Sequence, residues 1–315
     1  MRVAIIGGTG FVGSYLTDAL LNSGHSVSML VRQGSESKLR QPEKVLIVNG
    51  DIADTESIYR LLQACDAVIY NVGILREVPR KGVTFESTQY EGLVNTVDAA
   101  LAAGVQRFLL MSANGVKIPG TRYQETKRRA EEYALKSGLD VTVFRPSVIF
   151  GDPQGAMEFA TQLFNQMVRP PIPAVSFFAG CDPKKGAVVM SPVHIKDVAR
   201  AFLAALKNEE CVGRTYALGG PEVLTWKEMV SRIAAVKGRR KWFLPMPIAL
   251  MRLGATLFDW LPFSPVTREQ LTMLEEGNVA DPEIMQALTG RGATSFSVEN
   301  LDYLDNQEAI CHGTD

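Results

Sequence analysis

The sequence predicts an α/β chain with a doubly wound parallel sheet and a smaller C-terminal α+β lobe. Three observations carry that expectation. An apolar run, Val3 to Ile6, stops at a cluster of glycines and gives way at Phe11 to a helical period with Leu16, Ala19 and Leu20 on one face. Short runs rich in β-branched residues then alternate with helical patterns as far as Phe150, the order produced by parallel strands joined through crossover helices. Beyond Gly151 the alternation lapses into proline-rich and mixed segments, which marks a second lobe.

Bulk properties narrow the function classes. With 315 residues the chain can bury one large core, or one core and a smaller lobe. A net charge of -1 gives no long-range attraction for nucleic acid, so no nucleic-acid partner is expected. Cys65, Cys181, Cys211 and Cys311 show no short paired spacing, and His25, His194 and His312 lie far apart. No metal site or disulfide framework follows, and a reducing, cytoplasmic setting is the natural expectation. The opening apolar run is broken by glycines from Gly7 to Gly13, so it reads as a first strand rather than a leader peptide.

The first strand-to-helix junction is the strongest local signal. Gly8, Gly10 and Gly13 satisfy G-x-G-x-x-G, with roles expected in the tight turn, the close approach of a diphosphate and the packing of the helix. The cradle therefore comprises Gly7, Gly8, Thr9, Gly10, Phe11, Val12 and Gly13, whose amides and helix dipole hold phosphate. Val27 to Val31 form a second strand, ending at Arg32-Gln33-Gly34-Ser35 with no acid before Glu36. An acid there would take ribose hydroxyls; a cation suits a 2′-phosphate. Arg32 is read as the phosphate clamp, with Ser35 or Lys38 assisting, so NADP(H) is preferred and NAD(H) is the rival.

Val45 to Val48 give a third strand, followed by Gly50-Asp51-Ile52 and a helix around Thr55 to Ala64. Asp51 is a candidate adenine contact, although an aspartate before a helix also serves as a turn or cap. Ala67 to Tyr70 form a fourth strand ending in Asn71-Val72-Gly73, where glycine again suggests close approach to the cofactor. A helix from about Glu86 to Ala103 and a fifth strand, Arg107 to Met111, complete the alternation.

Ser112 terminates that fifth strand, and Tyr123 and Lys127 lie one turn apart on the helix that follows. Free tyrosine, with a pKa near 10, is a poor acid-base group at neutrality; lowering it by two to three units takes roughly 3–4 kcal/mol. An ammonium about 4 Å away supplies about 1 kcal/mol in water and about 4 kcal/mol at an effective dielectric of 20. Lys127 is thus expected to depress the Tyr123 pKa in a sheltered site, with Ser112 orienting the reacting oxygen.

Several motifs together resemble the extended and atypical short-chain dehydrogenases/reductases, the Rossmann-type proteins that include NAD-dependent epimerases and dehydratases. They are the glycine loop, Asn71-Val72-Gly73, Ser112, Tyr123-x-x-x-Lys127, Arg145-Pro146-Ser147-Val148-Ile149-Phe150-Gly151 and Val193-His194-Ile195-Lys196-Asp197-Val198-Ala199. The resemblance implies a catalytic Ser112, Tyr123 and Lys127, and places Asp51, Ile52, Asn71, Val72, Gly73, Lys127, Pro146 and Val148 at the cofactor. The span between Ser112 and Tyr123 is shorter than in the nucleotide-sugar enzymes, so Asn114 is the alternative to Ser112. The last third, with Tyr216-Ala217-Leu218-Gly219-Gly220-Pro221, Thr225-Trp226, Pro245-Met246-Pro247 and Pro265-x-x-Arg268-x-Gln270-Leu271-x-Met273-Leu274, is similar to a narrower branch. That branch holds the nucleotide-binding accessory subunit of respiratory complex I and its bacterial relatives.

The expected division is 1–150 for the dinucleotide-binding domain, with 187–212 returning to it, and 151–315 for the smaller lobe with a mobile tail. Within the lobe, Gly155 to Met167 read as a helix, Arg169 to Pro173 as a loop at the cleft mouth and Val188 to Met190 as a strand. Asp197 is read as favouring a helix N-terminus rather than pairing catalytically with His194. Lys237 to Lys241 form a basic cluster before Trp242 and Phe243, and Met246 to Leu261 are rich in large apolar residues. That stretch is expected to pack into the lobe's own core, the rival being a docking face for a membrane surface or a hydrophobic partner.

Two functions follow. The first is an NADP(H)-dependent oxidoreductase or epimerase acting on a hydroxyl or carbonyl of a small molecule. The alternative is a weakly catalytic accessory or assembly factor of a membrane respiratory complex, peripheral at the inner face of its membrane.

Overall fold

The computed structural model describes residues 1–180, 182–183, 185–252 and 268–305. In chain order, β1 (Arg2–Ile6), α1 (Phe11–Asn22), β2 (Ser26–Val31), β3 (Val45–Asn49), α2 (Thr55–Leu62), β4 (Ala67–Tyr70), α3 (Gly92–Ala103), β5 (Arg107–Met111), α4 (Arg122–Lys136) and β6 (Asp140–Pro146) build the first part. There follow β7 (Ile149–Phe150), α5 (Phe159–Leu163), β8 (Ala174–Phe178), β9 (Val189–Met190), β10 (Val193–His194), α6 (Ile195–Leu206), β11 (Thr215–Leu218), β12 (Leu224–Thr225), α7 (Trp226–Val236) and β13 (Phe243–Pro247).

The main sheet has seven strands in the order β11-β6-β5-β4-β1-β2-β3, and the pairings from β3 through β6 are parallel. This is the doubly wound α/β architecture that the sequence predicts. The winding reverses between β1 and β4, so the chain ends leaving those two strands splay apart and leave a crevice there. β1 and β4 are buried almost throughout, as continuous apolar runs covered on both faces must be. Helix caps fix the connections. Asp54 accepts from the Glu56 and Ser57 amides at the start of α2, and Thr121 with Gln124 forms a reciprocal capping box on α4.

The chain divides into two compact units, 1–146 with 196–217 and 287–290 in the first, and 147–195, 218–286 and 291–315 in the second. In the first, Phe108, Leu93, Val97, Ile58 and Leu62 are fully buried. Each such side chain contributes about 1.5–3 kcal/mol. Arg107 fastens the returning helix: its guanidinium donates to the Ala205 carbonyl at 2.6 Å and the Leu206 carbonyl at 3.3 Å, satisfying the last turn of α6. Asp197, 1% exposed, lies in the first turn of α6 and pairs with Arg200 at 2.6 Å. That is its structural role.

Some local expectations change. The helix expected from Glu86 begins as a π-helical turn, Glu86–Glu91, and becomes α-helical only at Gly92. The helix expected at Gly155 starts later. Gly155 has φ +90° and Gln154 +49°, outside the right-handed helical region, and Glu158 is the residue that caps α5. Arg169 to Pro173 carry neither helix nor strand. The apolar helix expected from Met246 to Leu261 starts two residues late: Met246 and Pro247 end a strand, Phe243–Pro247, paired in parallel with β8, and helix runs over 248–252. Residues 253–267, which include the rest of that expected helix to Leu261, and the tail 306–315 lie outside the described residues. In the second unit Phe150, Phe164, Phe296, Met229, Ile233 and Leu271 are fully buried, and the Trp226 indole N–H donates to the Val175 carbonyl at 3.0 Å.

Candidate functional site

The glycine loop is shaped from beneath by backbone. Gly7 has φ +90°, and a Cβ there would stand 2.5 Å from the Asn71 carbonyl oxygen. A Cβ on Gly13 would stand 2.4 Å from the Gly7 oxygen, so the first turn of α1 lies against the loop. The turn expected at Gly8 is therefore made by Gly7, while Gly8 leaves room for the Met29 side chain, 2.5 Å from where its Cβ would be. Gly10 differs. Its nearest contact for a Cβ would be Gly7 O at 3.9 Å, and its φ of −88° with ψ 175° is open to any residue. The fold itself does not require glycine there. Gly10 also caps α1 without any side-chain hydrogen bond, leaving the first amides of the helix for an anion.

Asn71 locks this loop to the end of β4. Its amide N donates to Ile6 O at 2.8 Å and its side chain to Gly7 O at 3.2 Å. The strand ends thus bring together Gly7, Asn71, Val72 and Gly73. On the other side of the crevice, β2 ends in a turn closed by Ser35 N to Arg32 O at 2.9 Å, with Gly34 at φ +80°. Arg32 and Lys38 are exposed. Gly50 N donates to Val31 O at 3.0 Å, so Arg32 and Asp51 leave neighbouring strands together. Asp51 accepts from the Ala53 amide at 3.0 Å, the turn role, and Ile52 O accepts from Asn95 at 3.0 Å. Arg40, missed in the sequence, pairs with Asp18 at 3.0 Å and lies over the Tyr15 ring at 5.4 Å, pinning the segment after Arg32 to α1. Its spacing from the glycines carries no periodic signal, so only the fold reveals it.

Lys127 is the centre of the second cluster. It is 4% exposed, and its ammonium donates to Val72 O and Met111 O, both at 3.2 Å. A Cβ on Gly73 would stand 3.2 Å from that nitrogen. Two adjacent strand ends and one helix therefore share a single cation. Burial pulls its pKa down to about 8, opposed by the Glu131 carboxylate one turn further along α4. Glu131 is itself fully buried and held by Arg145, through Nε at 2.8 Å and a second, very short bond, and by Arg128. An acid on the buried face of an otherwise basic stretch, Lys127-Arg128-Arg129-Ala130-Glu131, was the available signal for this pair.

Ser112 follows Met111 directly and is tied by its amide to Phe144 O at 2.7 Å. Among the described residues, its buried hydroxyl has no hydrogen-bond partner. Asn114, the alternative, has its amide on Pro146 O at 2.9 Å. Tyr123 is half-buried with its ring edge-on to Phe85 at 5.7 Å. Burial pushes its phenol up to about 12, with no compensating pull from Lys127. Here the ammonium is engaged with two carbonyls, and desolvation governs the phenol. Pro146 ends β6 in the first unit, whereas Val148 belongs to the second, where it packs on that unit's core.

Comparison with known proteins agrees with this geometry. Residues 7–169 match the family described as NAD(P)H-binding. The NADH dehydrogenase [ubiquinone] 1 alpha subcomplex subunit 9 of Arabidopsis thaliana mitochondria is 28% identical over 289 residues, 87% of this chain and 68% of that protein. A ceramide reductase of Caulobacter vibrioides is 27% identical over 268 residues, 82% of this chain and 78% of that protein. The crystal structure of UDP-glucuronic acid 4-epimerase from Bacillus cereus in complex with NAD superimposes with a TM-score of 0.74 at 19% identity, covering 100% of this chain and 99% of that one. The chain belongs to the NAD(P)H-binding family, with a fold shared by the short-chain dehydrogenases/reductases and a sequence similar to the accessory subunits of respiratory complex I.

Proposed function

We propose that the protein is an NADP(H)-dependent reductase of the short-chain type, acting on a carbonyl of a small molecule. The observation that carries this reading is the buried, unpartnered Ser112 hydroxyl, one residue beyond the carbonyl that receives the Lys127 ammonium. A buried hydroxyl without a partner costs roughly 1–3 kcal/mol, and a substrate oxygen would satisfy it.

The residues present suit a dinucleotide: an uncapped helix start, a Gly10 that the fold itself does not require, and an exposed cation at the end of β2. The amides of Gly8 to Gly13 would hold the diphosphate, Arg32 the 2′-phosphate, and Asp51 and Ile52 would border the adenine. When bound, the nicotinamide supplies the hydride. Lys127, with two protons given to carbonyls, has one left for a ribose hydroxyl. Ser112 donates to the substrate oxygen and fixes its position. Tyr123, with a pKa near 12, is protonated at neutrality and gives its proton to the forming alkoxide. That state favours reduction over oxidation.

The test pairs NADPH binding, followed by fluorescence titration, with NADPH oxidation across a panel of aldehydes and ketones. Tyr123→Phe should lose about 10²–10⁴-fold in turnover and keep its NADPH affinity. Equal turnover in the variant removes Tyr123 from the mechanism.

A second reading, a cofactor-holding accessory factor of a membrane respiratory complex, is favoured by the same raised phenol, since no phenolate is preformed, and by the similarity to a complex I subunit. In that case NADPH raises the melting temperature by mass action, about 2.7 kcal/mol at a hundredfold excess over Kd, while no carbonyl in the panel is reduced.

A further inference from the structure

Two stretches of the second unit contain no acid: Phe159 to Gly180 and Met229 to Arg252. The first includes Arg169, and the second includes Lys237, Arg239, Arg240 and Lys241. The fold brings them side by side. β8 and β13 pair in parallel with Phe243 opposite Ala174, and Ala174 N donates to Trp242 O at 2.8 Å. Lys241 donates its ammonium to the carbonyl oxygens of Pro170 and Ile172, the latter at 2.8 Å, which fastens the segment before β8 to the segment before β13.

Around this junction the side chains sort by the strand alternation. Phe243 and its register partner Ala174 pack on the core of the unit, while Trp242 and Leu244, two residues apart, are turned to solvent. Trp242 is 83% exposed, Ile172 63% and Leu244 53%. Arg169, Arg239 and Arg240 are exposed beside them. A tryptophan this open leaves most of its apolar area in water, and a group of such residues marks an interaction surface.

Charge selects the occupant. A second copy docking through this face would set Arg169, Arg239 and Arg240 against their own counterparts, while Lys237 is already paired with Asp305 at 2.8 Å and adds no unpaired charge. A bilayer containing anionic lipid matches both features, because indole rings settle at the headgroup level and arginines meet the negative surface. We propose that the start of β8 and β13, with Trp242, Ile172 and Leu244 as an apolar tip ringed by Arg169, Arg239 and Arg240, docks on an anionic phospholipid bilayer. The inference is independent of the reaction proposed above.

The experiment uses the full chain with extruded vesicles of phosphatidylcholine alone and of phosphatidylcholine with phosphatidylglycerol, read by co-sedimentation and tryptophan fluorescence. Binding is expected only with the anionic lipid, weakening as salt is raised. Arg239→Gln/Arg240→Gln should bind about 25-fold more weakly, from about fivefold per charge, with an unchanged melting temperature. The blue shift seen on binding should disappear in Trp242→Phe. Equal binding to both lipids, no binding to either, or wild-type binding by the double variant overturns the proposal. Concentration-dependent dimerisation lost in Trp242→Phe, without vesicle binding, assigns the face to a second copy instead.

Discussion

Lys127→Met isolates the cost of burying an ammonium at the strand ends. The side chain is 4% exposed and its pKa is pulled to about 8 from 10.5, chiefly by burial. A base whose folded pKa is lowered binds fewer protons in the folded than in the unfolded chain. Its penalty is therefore fully present below pH 8 and is relieved as pH rises through 8 towards 10.5. The whole displacement corresponds to about 3 kcal/mol, of which about 2 kcal/mol is recovered between pH 7 and 9.5. Tyr123, raised to about 12, and Cys65, raised by burial, act with the opposite sign at higher pH, but they are present in both proteins and cancel in the difference. Urea unfolding of wild type and variant at pH 7, 8, 8.75 and 9.5 gives that difference. Wild-type stability should gain on Lys127→Met by about 2 kcal/mol across the series. The variant also leaves the Val72 and Met111 carbonyls without their donor, a loss that does not depend on pH. Parallel profiles would show that the ammonium is not desolvated in the folded protein, and the proposed ribose contact would lose its structural basis.

Other perturbations address separate parts of the site. Gly13→Ala forces a Cβ to 2.4 Å from the Gly7 oxygen and should lower the urea midpoint by an amount worth about 1–3 kcal/mol. Gly10→Ala meets nothing closer than 3.9 Å and should fold like wild type while NADPH titration shows weakened binding. If both variants lose stability alike, Gly10 is a structural glycine. Arg32→Ala should weaken NADPH by about tenfold or more and NADH little, read by paired titrations; equal losses would mean that Arg32 does not meet the extra phosphate. Glu131→Gln strips a buried carboxylate from Arg145 and should cost about 3 kcal/mol in chemical denaturation. An unchanged midpoint would place that carboxylate in water.

The parts of this molecule legible in the sequence are those where one short stretch carries both the pattern and its cause. β4 and β5 run over Ala67–Tyr70 and Arg107–Met111, the bounds that their apolar runs and flanking polar residues predict. α1 begins at Phe11, where the helical period begins. Where the cause lies elsewhere in the chain, the sequence is silent. Gly7 is the residue in the left-handed turn because Asn71, 64 residues away, closes the space beneath it. The G-x-G-x-x-G spacing alone does not reveal that contact. Phe243–Pro247 is a strand because β8 offers it a partner, although its prolines and large apolar residues read locally as the approach to a helix.

The same division governs the chemistry. The four-residue spacing of Tyr123 and Lys127 puts them on one helical face, and the pattern is visible in the sequence. Their protonation is set by groups that spacing cannot show: the Val72 and Met111 carbonyls that hold the ammonium, and the Phe85 ring against the phenol. These groups come from the ends of β4 and β5 and the turn before α3; the carbonyls stabilise the ammonium, while burial against the ring raises the cost of taking the proton from Tyr123. With the phenol near 12 and the ammonium near 8, both groups carry their protons at neutral pH. The pair is therefore built to keep the proton on oxygen, and whatever activates Tyr123 must stabilise negative charge beside it. In the proposed reduction that task does not arise, because the proton leaves Tyr123 only as an alkoxide forms to receive it. In an oxidation or an epimerisation it would have to be done first.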